Sequence, residues 1–337
     1  MRNSNTHKAL IGAALLVLGT LVLITYERGQ KITHPSGLLS AYQELEKKWE
    51  DAFDRSPENA YAEFLVTGKT LSYDDSHKLS HTVGGIIYKK SGVNGVSLCT
   101  PDFAFGCYHG FAGAVLEARG LSAIADMRWA CDSAGDASVA FGCIHGIGHG
   151  ILSYLGNGKL TQALEACVPI NAGVTIGGCY GGVFMEYNFN TMQSPTGIEL
   201  RPFLASKAYE PCATEIPAQF REACYYDQAS WWSASFGGKD AAASSRYEKT
   251  GTLCAAIQET TLRDVCFRGI GNVIGPESGY DYRVMKQWCG TMSSPESRDL
   301  CYHEALQHLL QSDKGKAELR TLCGTKEISY ANLCPGR

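Results

Sequence analysis

Residues 131–150 read CDSAGDASVAFGCIHGIGHG. Cys131 and Cys143 bracket eleven residues, of which Asp132-Ser133-Ala134-Gly135-Asp136 have turn and helix-cap character. Two positions after Cys143 comes His145, one helical turn later His149, and Gly146, Gly148 and Gly150 alternate between and after them. The same cysteine spacing of 12 returns four times: Cys167 with Cys179, Cys212 with Cys224, Cys254 with Cys266, and Cys289 with Cys301. Cys99 with Cys107, 8 apart, and Cys323 with Cys334, 11 apart, are looser copies, so all 14 cysteines fall into seven pairs. A unit that recurs every 35 to 45 residues, measured between second cysteines from Cys107 to Cys301, is the signature of a repeat built from one supersecondary element.

Apolar residues before the first cysteine and after the second have helical spacing, as in Leu121-Ile124-Met127 and Cys143-Ile147-Ile151-Leu152. The unit therefore reads as an αα-hairpin, with one cysteine late in helix A and the other early in helix B. Closing a 12-residue loop stabilises such a hairpin by roughly 3 kcal/mol in the chain-entropy account. A lone hairpin cannot bury its apolar face, whereas stacked neighbours can. The expected fold is all-α: about seven tandem disulfide-stapled αα-hairpins over residues 71–337, forming a solenoid or a closed α/α toroid. Glycine recurs in the first turns of helix B, at Gly84, Gly110, Gly146, Gly148, Gly182, Gly269 and Gly271 among others. Each costs about 1 kcal/mol against alanine inside a helix, which predicts that backbones approach closely there.

Ala9 to Tyr26 is an 18-residue run without a charge, just long enough to span a bilayer, and no small-x-small cleavage site follows it. It reads as an uncleaved N-terminal transmembrane signal anchor, with a cleaved signal peptide as the alternative. Residues 1–8 would be a cytoplasmic tail, 27–37 a linker and 38–70 a helical lead-in covering the first hairpin. Paired cysteines in this number belong in an oxidising compartment, such as a periplasm, cell surface or secretory lumen. The domain beyond the anchor is accordingly placed outside the cytoplasm, with the membrane as partner through the N-terminal helix. Net charge is −4 with both signs interspersed, so nucleic acid is not an expected partner. There is no phosphate-binding glycine loop, so no nucleotide cofactor is expected, and no G-x-S-x-G elbow.

Seven of the nine histidines follow residue 70, and all seven are assigned to B helices: His77, His81, His109, His145, His149, His303 and His308. His77 with His81 and His145 with His149 are i,i+4 pairs, which place both rings on one helical face. Such pairs chelate a metal through imidazole nitrogens, and His109 falls on the helix between them. His77, His81, His109, His145 and His149 are therefore the candidate metal ligands, for Zn, Cu or Fe, since imidazole suits all three; a metal-free polar pocket facing substrate and structural packing between glycine-rich helices are the alternatives. Glu117 and Glu186 are the candidates for a carboxylate ligand or general base, about two turns further along their helices. Asp74 and Asp75 read as N-caps of the first B helix. Position +2 after the second cysteine also contributes Tyr226, Arg268 and His303 as pocket candidates. Trp231-Trp232 reads as core first and as an aromatic platform second.

His109-Gly110-Phe111-Ala112-Gly113 resembles the His-Gly-x-x-Gly of the inner helices of lanthionine-cyclase-like α/α toroids. That resemblance implies a toroid and a zinc held by two cysteines and a histidine. Trp288-Cys289-Gly290 and Cys301-Tyr302-His303 are similar to the zinc motifs, but both cysteines belong to the paired series, and no function is carried over.

The functional expectation is a metal-dependent enzyme, hydrolase or oxidoreductase, built on the histidines. The alternatives are a non-catalytic scaffold holding a protein or peptide on its concave face, and a metal carrier or sensor.

Overall fold

The computed structural model describes residues 35–134, 137–171, 173–192, 199–237, 242–311, 313–325 and 333–334. The anchor expected at Ala9–Tyr26 lies outside the described residues. Among those described there are only helices and their connections, with no strand. The chain divides into two compact units, up to Ala52 and from Phe53 onward.

Within the first unit lies most of α1 (Pro35–Arg55), opened by a proline, which costs least where a helix begins. In the second unit, α2 (Pro57–Gly68) starts on an N-cap Ser56 whose side chain accepts from the Asn59 N–H. Phe64 of α2 meets Phe103 edge-on at 5.3 Å, and the Tyr61 hydroxyl accepts from the Thr100 N–H at 2.9 Å. So α2 covers the start of the hairpin series.

The series proper runs α3 (Tyr73–Ser91), α4 (Gly106–Arg119), α5 (Ile124–Ser133), α6 (Ala137–Leu155), α7 (Leu160–Cys167), α8 (Gly178–Phe189), α9 (Arg221–Phe236), α10 (Ala243–Ala255), α11 (Thr260–Glu277), α12 (Tyr282–Cys289), α13 (Pro295–Gln307) and α14 (Asp313–Cys323). Helices α3, α4, α6, α8, α9, α11 and α13 pack one on the next in chain order, while α5, α7, α10 and α12 lie against them as the other arms. Together α6 and α7 have the length and composition of a bent membrane span. They meet at 110°, however, and Ile147, Ile151, Leu152, Ala163 and Leu164 are buried in the core; no single described helix is long and apolar enough to cross a membrane.

All seven predicted cysteine pairs are disulfides. Cys99 is bonded to Cys107, Cys131 to Cys143, Cys167 to Cys179 and Cys212 to Cys224. Cys254 is bonded to Cys266, Cys289 to Cys301 and Cys323 to Cys334. Their Cα–Cα distances are 5.5–5.7 Å, and no cysteine is free. Seven buried or half-buried disulfides and no thiol belong in an oxidising environment. The bond between Cys289 and Cys301 occupies both sulfurs of the toroid-like motif, which leaves no thiolate there for zinc.

Second cysteines sit where the hairpin reading puts them, early in a B helix: Cys107 in α4, Cys179 in α8 and Cys224 in α9 in the first turn, and Cys143 in α6, Cys266 in α11 and Cys301 in α13 in the second. Cys334 is the exception, because it lies beyond α14 and outside any helix. Two first cysteines also depart from the helix-A expectation. Cys99 follows a 3-10 helix (Val93–Leu98), and Cys212 sits in turns after the 3-10 segment Ala205–Lys207. Pro202, Pro211 and Pro217 explain the second case, because each removes a donor from any α-helix laid there. His308 also lies outside a B helix: it caps α13, and a 3-10 turn (His308–Gln311) begins with it. The cap of α3 differs too. Ser72, not an aspartate, is the N-cap, and its hydroxyl accepts from the Asp75 N–H while donating to the Asp75 carboxylate at 2.6 Å.

The glycines do what their recurrence predicts. A methyl at Gly110 would collide with the His81 carbonyl and one at Gly182 with the His145 carbonyl. The backbones that carry the histidines are thus in direct contact, α3 with α4 and α6 with α8.

Candidate metal centre

Helix α3 presents His77 and His81, α4 presents His109, and α6 presents His145 and His149. Because α4 packs between α3 and α6, the five rings converge. His77 Nε2 and His81 Nε2 are 3.1 Å apart, His81 Nε2 and His109 Nδ1 3.3 Å, and His145 Nε2 and His149 Nε2 3.1 Å. In a tetrahedral site with bonds of about 2.0–2.1 Å, ligating nitrogens stand roughly 3.3–3.4 Å apart. The observed separations need little adjustment to meet that. Two triads result, one of His77, His81 and His109, the other of His109, His145 and His149, each able to offer three ligand atoms lying within 4.8 Å of one another.

Orientation of the rings is set from behind. His77 Nδ1–H donates to the Phe103 carbonyl at 2.7 Å, which turns its Nε2 lone pair towards His81. Phe103, Ala104 and Phe105 all have left-handed backbones, φ 54°, 52° and 62°. For non-glycine residues that conformation costs roughly 1–2 kcal/mol each, and here it aims a carbonyl at a candidate ligand. His145, the corresponding member of the second pair, makes a backbone hydrogen bond with Gly178, the first residue of α8, where Gly177 and Gly178 also have positive φ. The two pairs are therefore held alike, each by backbone at or just before the start of the next B helix, α4 for His77 and α8 for His145.

His149 is held by a carboxylate. Its Nδ1 lies 3.1 Å from Glu186 Oε2, and both side chains are buried. Glu186 also accepts from the Thr191 hydroxyl at 2.7 Å and from the Met192 N–H at 3.1 Å. Asn190, left-handed at φ 46°, ends α8 and folds this segment back over the carboxylate. A carboxylate behind a histidine fixes the tautomer and strengthens the ligand, the usual outer-shell arrangement of metal sites.

Burial, reinforced by the neighbouring imidazoles, holds His81 and His109 well below the ordinary histidine pKa. The same causes push His145 down to about 3. These rings are uncharged at neutral pH, with lone pairs free for a cation. The His clusters can hold a metal ion.

Other sequence candidates sit elsewhere. Glu117 is exposed on the far half of α4, eight residues and so about 12 Å along the helix from His109. Tyr226 donates to Glu304 at 2.8 Å and Arg268 pairs with the same carboxylate at 2.8 Å, so α9, α11 and α13 are tied together there. His303 is half-buried on α13, and neither triad includes these three residues. Trp231 and Trp232 are fully buried, with indole N–H groups donating to the carbonyls of Arg201 and Ala208. That makes them core and not a platform. Phe103, Gly178 and Thr191 were not legible as site residues, because two act through backbone groups and the third through a carboxylate.

No protein-family profile, no curated protein and no solved structure matches this chain.

Proposed function

We propose that this protein is an extracytoplasmic, membrane-anchored helical-repeat protein that binds a transition metal through His77, His81, His109, His145 and His149, and that it uses the metal as an enzyme. The observation that carries the reading is the convergence of five imidazoles from three adjacent helices, each with a nitrogen 3.1–3.3 Å from that of another ring. His77, His145 and His149 each spend one nitrogen on an outer partner, and the Nε2 of each faces another imidazole. Three imidazoles per ion leave a tetrahedral metal one open position, the feature of catalytic sites as opposed to closed structural ones. A bound ion there supplies either Lewis acidity towards a substrate oxygen or redox chemistry. Glu186 is committed to His149 and serves as its orienting partner, so a general base for hydrolysis would have to come from the substrate or solvent side. The Ala9–Tyr26 anchor and the continuation of the hairpins as a regular array are parts of the same proposal.

Elemental analysis of protein purified without a metal-affinity tag tests it. The expected result is stoichiometric Zn, Cu or Fe, lost in the double variant His145→Ala with His149→Ala while circular dichroism stays native. Metal-free wild-type protein with no uptake on titration would dispose of the site and leave the scaffold reading.

A further inference from the structure

Four of the five histidines come in i,i+4 pairs; His109 stands alone on α4 and belongs to both triads. Its ring centroid is 5.3 Å from both His77 and His81, 5.6 Å from His145 and 4.3 Å from His149, the last stacked at 28°. Its environment differs from that of His77, His145 and His149. His77 is backed by the Phe103 carbonyl, His145 by the Gly178 backbone and His149 by Glu186. A metal-binding histidine ordinarily spends its second nitrogen on such an outer partner. His109 has none: Nδ1 faces His81 Nε2 at 3.3 Å, and Nε2 is buried without any hydrogen-bond partner. The ring is only 3% exposed, so water does not readily satisfy that nitrogen. A buried polar atom left unpaired costs about 1–3 kcal/mol, and a ligand that occupies it removes the cost.

We infer that the centre is dinuclear and that His109 bridges its two metal ions, Nδ1 binding the ion held by His77 and His81, and Nε2 the ion held by His145 and His149. This rests on the metal-site reading above and goes beyond it in number and connection. Each bridging nitrogen donates one lone pair. The single N–H proton of neutral His109 leaves to solvent as the second ion binds, and the ring becomes an imidazolate. No electron changes hands in this step. Two ions joined through one ring sit at its two nitrogens, each with two further imidazoles and an open position.

Copper titration of the metal-stripped full-length protein, followed by electron paramagnetic resonance, is the test. Copper(II) is the probe because spins coupled through an imidazolate lose intensity. The expected result is two ions per chain, with integrated signal at saturation far below two spins, and about one proton released per chain with the second equivalent. The His109→Gln variant should give only fully visible, uncoupled copper at native circular dichroism. Two ions with additive signal, or saturation at one ion, would overturn the bridge and leave the metal site standing. No binding at all would overturn both.

Discussion

Glu186 shows how much of a site is decided by one side chain. It is wholly buried, yet each carboxylate oxygen is engaged by donors from Thr191, Met192 and His149. A buried carboxylate is tolerated on those terms. In exchange it fixes which nitrogen of His149 carries the proton and points Nε2 at His145. The Glu186→Gln substitution keeps size and most hydrogen bonds but removes the charge and lets the amide donate towards His149. Outer-shell changes of this kind cost about 10–100-fold in metal affinity. Competition against a chelator of known affinity should show a loss in that range without a loss of helical content. An affinity equal to wild type would mean that Glu186 does not orient His149 for a metal.

At the level of helices, the glycines allow the rings to meet. The methyl of alanine at Gly182 would run into the His145 carbonyl and, at 2.9 Å, the backbone nitrogen of His149. In an exposed helix interior Gly→Ala stabilises by about 1 kcal/mol. At Gly182 the sign should reverse, because α6 and α8 must move apart, with a cost of roughly 1–3 kcal/mol as for other overpacked contacts. Gly158 in the 3-10 turn Asn157–Lys159 has open space where a methyl would go, so Gly158→Ala serves as the control and should stay within about 0.5 kcal/mol. Denaturant midpoints of the two variants decide the matter, and equal midpoints would show that the helix contact is loose. Recurrence made these glycines visible in the sequence; their contact partners were not.

For the molecule as a whole, seven disulfides restrict the unfolded chain and so carry stability that does not vary with pH in the acid-to-neutral range, whereas the histidine centre makes a contribution that does. His145 has a folded pKa of about 3 against an ordinary 6.5. Above 6.5 both folded and unfolded forms are neutral and the group is silent. As pH falls from 6.5 towards 3, the unfolded form takes a proton that the folded form does not, and stability drops by about 1.4 kcal/mol per pH unit for each such ring. His81 and His109 are shifted in the same direction and add to the slope. Calorimetry of the metal-free, disulfide-intact protein should find the unfolding temperature level between about pH 8 and 7 and falling steeply below about pH 6. A flat profile down to about pH 4.5 would show that the rings are not packed as described. Bound metal, which also requires neutral rings, should raise the unfolding temperature at neutral pH and leave the acid slope at least as steep, because protons compete with the ion for the same nitrogens.

Spacing along the chain determined the disulfide pairs, the helical class, the oxidising environment and the two histidine pairs that share a helix face. All of these follow from periodicity or from cysteines 8 to 12 residues apart, distances over which local geometry is nearly fixed. The tertiary structure alone decided that His109 belongs to both triads, that Glu186 backs His149, that a left-handed turn at Phe103–Phe105 aims a carbonyl at His77, and that Trp231 and Trp232 are core. The relations within the histidine centre join residues 26 to 42 positions apart. They depend on how closely neighbouring helices approach and at what rotation, which packing sets and no local pattern encodes.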